Sequence, residues 1–151
     1  MEKLTAKEYK EKYVDKKSPK RKQQPEFELQ KLICTYLKLK YPDIMFMSDT
    51  IAAVHLTKPQ QQRNKSVQCP DFHCPDILIF AKRGNYGALF IELKIKTPFK
   101  KNGNIKSSQN DHLRKQLQTI NKLMWEGYYA CFSWSYSQTK LIIDSYLVGT
   151  I

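Results

Sequence analysis

Two carboxylates and a lysine stand at a spacing that suits metal-assisted hydrolysis of a phosphodiester. Asp76 precedes the apolar residues 77–80, and Glu92 and Lys94 follow in the apolar segment ALFIELKI, with Glu92 sixteen residues after Asp76. Residues two apart in a strand project from one face, so Glu92 and Lys94 share a face. The apolar residues that fill the other face are predicted to be Leu89, Ile91, Leu93 and Ile95. Carboxylate oxygens bind hard divalent cations such as Mg²⁺ and Mn²⁺, which activate water and stabilise phosphate charge. A neighbouring lysine can orient or deprotonate that water and offset charge on the phosphoryl group.

The tripeptide Cys-Pro-Asp occurs twice, ending once at Asp71 and again at Asp76. Only the second copy is followed at once by a strand-like run, DILIF, which a turn at RGNYG connects to the segment with Glu92. Pairing of these two strands in a hairpin brings Asp76 close to Glu92, whereas Asp71 belongs to the loop before them. The alternative is that the Glu-x-Lys pattern, which is common by chance, is a solvated pair on an exposed edge strand.

The loop before Asp76 also contains three candidate zinc ligands, which are Cys69, His73 and Cys74. His55 is a candidate fourth ligand. Structural zinc sites normally combine two closely spaced pairs of ligands, and the second pair is missing here. We therefore expect no zinc site, while the residue types leave open whether these three side chains bind any metal. Cys34 and Cys131 lie in apolar segments and are predicted to be small core residues.

The segment PEFELQKLICTYLKLKYP is predicted to be a helix that begins at Pro25 and ends before Pro42. Its apolar positions form one helical stripe, made of Leu29, Leu32, Ile33, Tyr36 and Leu37. At about 100° per residue, Glu26 lies close enough to this stripe to face inward along its rim with Gln30. Glu28 lies further round the helix and is expected to be solvated.

The remaining elements alternate between strands and helices. DIMFMSD, DILIFA, ALFIELKI and YYACFSW have the pattern of strands. A short helix is expected after Pro59, a longer one from about Ser108 to Glu126 with Gly127 as its cap, and a last one in SQTKLIIDSYLVG. This order indicates an α/β domain over residues 25–151, with a mixed central β-sheet flanked by α-helices. Residues 1–24 are predicted to be a basic flexible arm or a short helix.

The net charge points to an anionic partner. The chain has 151 residues and a formal net charge of +12. A basic surface of this size most often binds nucleic acid, and a generally lysine-rich protein is the alternative. Beyond the arm, the predicted nucleic-acid contacts are Lys58, Arg63, Lys65, Lys96, Lys100 and Lys101.

The sequence has no features of a membrane or secreted protein. Apolar runs are far shorter than the roughly 20 residues of a membrane span, and the charged N-terminus is unlike a signal peptide. The four cysteines are therefore expected to be reduced thiols in a cytoplasmic protein, within a host cell if the protein is viral.

Four separated motifs together resemble a known nuclease family. Pro75-Asp76 followed by Glu92-Leu93-Lys94 resembles the PD-(D/E)xK nucleases, and residues 25–147 resemble the VRR-NUC group within them. PEFELQ is similar to the opening helix of that group, and HLRKQLQTINKLMWEGYYACF to its later helix and strand. Two departures are that Cys74 stands where many members have glycine, and that the Val-Arg-Arg signature is absent. The resemblance implies a restriction-endonuclease-like core.

The resemblance also implies roles for single residues. It implies that a divalent metal, Mg²⁺ or Mn²⁺, is bound by Glu26, Asp76, Glu92 and the backbone carbonyl of Leu93. Lys94 is then the catalytic lysine, and the conserved glutamine of the later helix corresponds to Gln116. Gln109 is the main rival of Gln116, and either glutamine could instead be exposed helix surface.

We therefore expect a divalent-metal-dependent DNA endonuclease from a phage or mobile element, with branched DNA such as a Holliday junction as its substrate. A restriction-type or nicking endonuclease is one alternative. A catalytically inactive DNA-binding module is another, although an inactive site need not keep Glu26, Asp76, Glu92 and Lys94.

A homodimer is expected from an aromatic-rich segment near the C-terminus. YYACFSWSY contains five large rings, at Tyr128, Tyr129, Phe132, Trp134 and Tyr136. Aromatic side chains are enriched in interface cores, and paired cuts at a junction need two sites related by a two-fold axis. The alternative is that the rings complete the core of a single chain.

Overall fold

The computed structural model describes residues 25–49, 56–106 and 111–151. The predicted arm at residues 1–24, His55, Gln109 and the start of the helix expected from Ser108 lie outside these residues. The described elements, in chain order, are α1 (Pro25–Lys40), β1 (Phe46–Ser48), α2 (Lys58–Val67), β2 (Ile77–Ile79), β3 (Leu89–Leu93), α3 (Asp111–Trp125), β4 (Tyr129–Ser133) and α4 (Tyr136–Val148).

The four strands form one mixed sheet in the order β1-β2-β3-β4. The pairs β1–β2 and β2–β3 are antiparallel, and β3–β4 is parallel. A parallel pair needs a long crossover, which α3 provides between β3 and β4. The predicted α/β class with a mixed central sheet is therefore confirmed.

Helices cover the sheet on both faces. On one face, Ile33 and Leu37 of α1 and Ile143 and Tyr146 of α4 belong to one buried cluster with side chains of β2 and β3. On the opposite face, α3 contributes to a second buried cluster, which consists of Leu78, Ala88, Phe90, Ile120, Leu123, Ala130 and Phe132. All five residues of β3 are buried as a result. The Glu-x-Lys motif therefore lies on a central strand, and the alternative of an exposed edge strand is wrong.

Two predicted core positions are exposed. Leu32, assigned to the apolar stripe of α1, is 55% exposed, because the buried residues of this helix are Gln30, Ile33 and Leu37. Leu32 is about 100° round the helix from Ile33 and so falls outside that face. Ile95 is 40% exposed because the pairing of β3 with β4 ends at Leu93.

The ends of the helices follow local sequence signals. The backbone N–H of Thr57 donates to the Gln60 side chain at 2.9 Å where α2 begins, and Pro59 lies in the first turn. Ser135 accepts a hydrogen bond from the Gln138 N–H at 3.2 Å at the start of α4. Gly127 follows α3 with a φ of 84°, a left-handed conformation that glycine adopts without steric cost.

The aromatic segment packs within its own chain. Phe132 is buried, and the rings of Tyr128, Tyr129 and Trp134 contact Phe90, Tyr86 and Phe99 with centroid separations of 5.3, 5.2 and 6.2 Å respectively. The ring of Tyr136 contacts that of Tyr36 of α1 at 6.3 Å. These contacts favour the alternative in which the rings complete a single chain, so the aromatic segment does not support a homodimer.

No helix in the described part of the chain is long and apolar enough to cross a membrane.

Candidate active site

The two central carboxylates lie opposite each other on neighbouring strands. In the β2–β3 register Ile77 pairs with Ile91, so continuing the register by one residue places Asp76 opposite Glu92. The carboxylate of Asp76 also crosses to β3, where its Oδ2 accepts a hydrogen bond from the backbone N–H of Leu93 at 2.7 Å. Asp76 is thereby held against the strand that carries Glu92.

Lys94 and Gln116 both donate to the same oxygen of Glu92. Lys94 Nζ lies 2.7 Å from Glu92 Oε1, and the two charged side chains are 19% and 5% exposed respectively. Gln116 Nε2 donates to Glu92 Oε1 from α3, and Gln116 is itself buried. Gln116 is thus not exposed helix surface, while its rival Gln109 lies outside the described residues.

Burial disfavours the ionised form of both central carboxylates. Burial and the charge of Asp76 raise the pKa of Glu92 to about 7, against the opposing effect of Lys94. Burial also raises the pKa of Asp76, although the Leu93 N–H and Lys94 oppose the shift. A carboxylate pair that the surrounding protein does not neutralise fully favours a proton or a cation nearby.

Glu26 is exposed in the first turn of α1. Its negative charge contributes to the raised pKa values of both Asp76 and Glu92. Glu28 is exposed in the same turn, as the helical geometry predicts. Exposure therefore does not distinguish the two glutamates, and the inward position of Glu26 and its role as a metal ligand stay predictions.

Gln30 connects three elements behind the carboxylates. Its Nε2 donates to Ser48 Oγ at 2.6 Å, to the carbonyl of Asp49 at 2.8 Å and to the carbonyl of Asp76 at 3.3 Å. This buried amide therefore ties α1 to the end of β1 and to the residue that precedes β2. The sequence placed Gln30 on the rim beside Glu26 but did not reveal these contacts.

His112 is a neighbour of the site that the sequence did not single out. Its ring meets that of His73 edge to face, with centroids 5.6 Å apart. Desolvation and the positive charges of Lys94 and His73 lower the pKa of His112, while Glu26 opposes the shift. The signal that could have revealed it is spacing, because His112 is four residues before Gln116 on the same face of α3.

The two Cys-Pro-Asp tripeptides have different structures. The first lies in a turn, in which the Phe72 N–H donates to the Cys69 carbonyl at 3.3 Å and Asp71 has a φ of 59°. Proline followed by a residue with positive φ is the pattern of a type II turn. The second tripeptide leads into β2, with Pro75 buried and Asp76 at the carboxylate pair. Asp76 is therefore the tripeptide aspartate at the site.

The cysteines of the same loop are free thiols, and whether Cys69, His73 and Cys74 bind a metal stays open. Within residues 25–49, 56–106 and 111–151, no three His, Cys, Asp or Glu side chains are grouped to hold a metal ion. All four cysteines are free. Burial and the nearby charges of Asp49, Glu92 and Asp76 raise the pKa of the Cys74 thiol to about 11, which disfavours the thiolate that zinc binds.

The chemistry of the donor set nevertheless fits a hard divalent cation at the carboxylate pair. Asp76 and Glu92 present oxygen ligands, the backbone of Leu93 lies between Glu92 and Lys94, and burial disfavours the ionised carboxylates in a way that a bound cation would offset. In addition, Gln116 Oε1 is buried without a hydrogen-bond partner beside Glu92. With the Leu93 carbonyl, the two carboxylates would supply three oxygen ligands, and Glu26 stays a predicted fourth.

The predicted nucleic-acid contacts are all on the surface. Lys58, Arg63 and Lys65 lie on α2, which has no buried residue, and Lys96, Lys100 and Lys101 lie in the loop after β3 and are also exposed. α2 ends shortly before the turn at Cys69, and the basic loop begins two residues after Lys94. Both basic segments are thus close in sequence to the carboxylate pair.

Comparison with known proteins identifies a related fold. A solved VRR_NUC domain protein superposes with a TM-score of 0.55 and 21% sequence identity, over 85% of this chain and 92% of that chain. No family model matches the chain, and no curated protein matches it significantly. The likeness does not bear on a phage or mobile-element origin, which stays a prediction. The chain therefore has a fold like that of this VRR_NUC domain protein, with a mixed four-stranded sheet.

Proposed function

We propose that this protein is a metal-dependent nuclease that hydrolyses phosphodiester bonds in DNA. The observation that carries the proposal is the pair Asp76 and Glu92, which face each other across β2 and β3 with Lys94 2.7 Å from Glu92. A fold similar to that of a VRR_NUC domain protein supports the same function, as does the formal net charge of +12.

A divalent cation, Mg²⁺ or Mn²⁺, would be held by Asp76, Glu92 and the backbone carbonyl of Leu93, with Glu26 as a further carboxylate. When bound, such a cation supplies stabilisation of the charge on the scissile phosphate and acidifies water. The hydrogen bond from the Leu93 N–H fixes Asp76 Oδ2 and leaves the other carboxylate oxygen for a ligand. Gln116 orients Glu92 in the same way from α3.

In this proposal Lys94 is the catalytic lysine. It shares an oxygen of Glu92 with Gln116, and its side chain keeps part of its surface exposed. An ammonium group held in this way can orient the attacking water and offset charge that develops on the phosphoryl oxygens. Attack of water on phosphorus then breaks one P–O bond, and the leaving alkoxide takes up a proton.

DNA is the proposed substrate because the exposed basic residues of α2 and of the loop at 96–101 are close in sequence to the site. Contacts of lysine and arginine with phosphates supply affinity without sequence selectivity. Selectivity for branched DNA such as a Holliday junction is the finer proposal. A homodimer is proposed with it, because two symmetric incisions need two sites, and sedimentation at micromolar protein with and without junction DNA tests it.

The decisive experiment compares cleavage of linear duplex, flap and four-way junction DNA in Mg²⁺, Mn²⁺ or EDTA. We expect cleavage with either metal, none in EDTA, and the fastest cleavage on a branched substrate. Cleavage of linear duplex alone would indicate a restriction-type or nicking endonuclease. Binding without cleavage under every condition would indicate a catalytically inactive DNA-binding module and contradict the proposal.

A further inference from the structure

A second concave surface lies beside the candidate active site, between the turn at residues 69–72 and the outer side of α3. It encloses about 490 Å³, within the range of small-molecule sites. We call it the turn pocket, and its lining residues are Cys69, Pro70, Asp71, Phe72, Gln118, Thr119, Lys122, Leu123 and Glu126.

The lining of the turn pocket suits a flat, neutral ring better than a phosphate. Phe72, Pro70 and Leu123 supply apolar surface, and Gln118 supplies an amide that can both donate and accept hydrogen bonds. Two carboxylates, Asp71 and Glu126, outnumber the single cation Lys122. A phosphate would be repelled by this balance, whereas an uncharged aromatic ring with polar edges would not.

The turn pocket is connected directly to the carboxylate pair. The backbone N–H of His73 donates to Thr119 Oγ1 at 3.2 Å, so the segment that leads to Asp76 is fixed against the pocket wall. Thr119 is three residues after Gln116, which is about 4.5 Å along the helix axis. One wall of the pocket and the amide that donates to Glu92 therefore lie within one turn of the same helix.

The backbone of the turn holds Phe72 in place. Asp71 adopts a φ of 59°, a left-handed conformation in which aspartate is several-fold enriched among residues other than glycine. Here the positive φ closes the turn that presents Phe72 to the cavity, only four residues before Asp76.

We propose that the turn pocket binds one unpaired nucleobase of the DNA that is cut at the carboxylate pair, an inference that rests on the proposed function. The base stacks against Phe72, and its polar edge meets Gln118. Base stacking on aromatic side chains is tolerant of sequence, so the pocket selects unpaired nucleotides rather than a base identity. It thereby gives this protein a physical means to prefer flaps, bulges and junctions over continuous duplex.

The test is a double-mutant cycle between Phe72 and the base. Affinities are measured in EDTA, where no cleavage is expected, for a short duplex with one bulged adenine and for the same duplex with an abasic nucleotide in the bulge. Phe72→Leu removes the ring and keeps an apolar side chain. Phe80→Leu is the matched control, because Phe80 is 49% exposed, compared with 36% for Phe72, and lies about 13 Å along β2 from Asp76.

We expect the preference of the unsubstituted protein for the bulged adenine over the abasic bulge to fall about fivefold or more in Phe72→Leu. Phe80→Leu should keep that preference. If all three proteins showed the same preference, the proposed binding of a base in the turn pocket would be overturned. The proposed function would stand if Mg²⁺ still supported cleavage. A protein that neither binds nor cuts any DNA would overturn both, and competition by free deoxyadenosine monophosphate as effective as that by bulged DNA would show a free-nucleotide site instead.

Discussion

Among single residues, Asp76 and Glu92 have distinct environments although they face each other. Asp76 accepts a hydrogen bond from a backbone N–H, whereas one oxygen of Glu92 accepts hydrogen bonds from both Lys94 and Gln116. Both carboxylates have raised pKa values because burial outweighs these donors. Binding of a cation there would relieve this unfavourable charge. A neutral substitution of either carboxylate should therefore lower activity but raise stability in the absence of metal.

Substitution of the site residues should stop cleavage. We expect Asp76→Asn, Glu92→Gln and Lys94→Ala each to lower the cleavage rate about 100-fold or more, because each removes a charge aimed at the reacting groups. DNA affinity in EDTA should change little. Asp71→Asn should lower the rate much less, since Asp71 lies in the preceding turn and not at the carboxylate pair. A loss with Asp71→Asn as deep as with Asp76→Asn would contradict the choice between the two tripeptides.

The raised pKa of Glu92 has a consequence for stability. Its pKa of about 7 in the folded chain exceeds the ordinary value of 4.5, so the folded protein retains a proton that the unfolded chain has released. Stability without metal should therefore fall as the pH rises from about 4.5 to 7, by up to about 3 kcal/mol. Urea unfolding in EDTA measures this decline. The Glu92→Gln variant should lose most of this decline. The Glu28→Gln variant, which replaces an exposed glutamate, should keep it.

Among the elements, α1 is the one whose register determines what reaches the site. Its buried residues are Gln30, Ile33 and Leu37, and from this face Gln30 donates to the backbone of Asp76, while the charge of the exposed Glu26 acts on Asp76. Glu26 and Glu28 also stabilise α1, because negative charge interacts favourably with the N-terminal end of the helix dipole. The rotation of α1 about its axis therefore decides which of the two glutamates serves the site and which one only stabilises the helix.

The register leads to a direct comparison of the two glutamates. We expect Glu26→Gln to reduce cleavage more than Glu28→Gln, because the charge of Glu26 acts on both Asp76 and Glu92. Both substitutions remove the same charge from the first turn, so their effects on helix stability should match. Cleavage rates at saturating Mg²⁺ decide the outcome. If Glu28→Gln were the more damaging, the functional register of α1 would be shifted by two residues.

Gln30 should matter for both stability and activity. Its removal leaves Ser48 Oγ and the carbonyls of Asp49 and Asp76 without the Gln30 donor. We expect Gln30→Ala to lower the free energy of unfolding by about 1–3 kcal/mol, and to slow cleavage because Asp76 loses a backbone anchor. Urea denaturation and cleavage assays measure the two effects. Lys31→Ala is the control on the exposed side of the same helix, and an equal loss there would contradict this role.

For the whole molecule, the decisive property is charge. The net charge of +12 makes DNA affinity dependent on salt, since each phosphate contact releases condensed counterions. We expect the double variant Arg63→Ala, Lys65→Ala to reduce the slope of log affinity against log salt by about 1 to 2. Lys38→Ala, Lys82→Ala removes the same charge near the far ends of α1 and β2 and should leave the slope nearly unchanged. Equal slopes for the two variants would show that α2 does not contact DNA.

The sequence alone determined the type and order of the elements. It also identified Asp76 and Glu92 as the carboxylates that lie opposite each other. Hydrophobic periodicity and the helix-end and turn residues are local properties, and the hairpin between DILIF and ALFIELKI needs only a short connection. For this reason the opposition of Asp76 and Glu92 could be predicted, and the mixed α/β sheet is confirmed. The site roles assigned by resemblance stay predictions.

Tertiary structure alone decided which faces are covered. Burial of β3 on both sides depends on α3 crossing over the sheet, which the periodicity of β3 cannot reveal. The same crossover brings Gln116 to Glu92 and His112 towards Lys94, and it forms the turn pocket against residues 69–72. Leu32 is apolar but exposed, because an apolar residue is buried only where a neighbour packs against it. Such contacts join residues far apart in sequence, and local patterns carry no information about which distant surface will meet them.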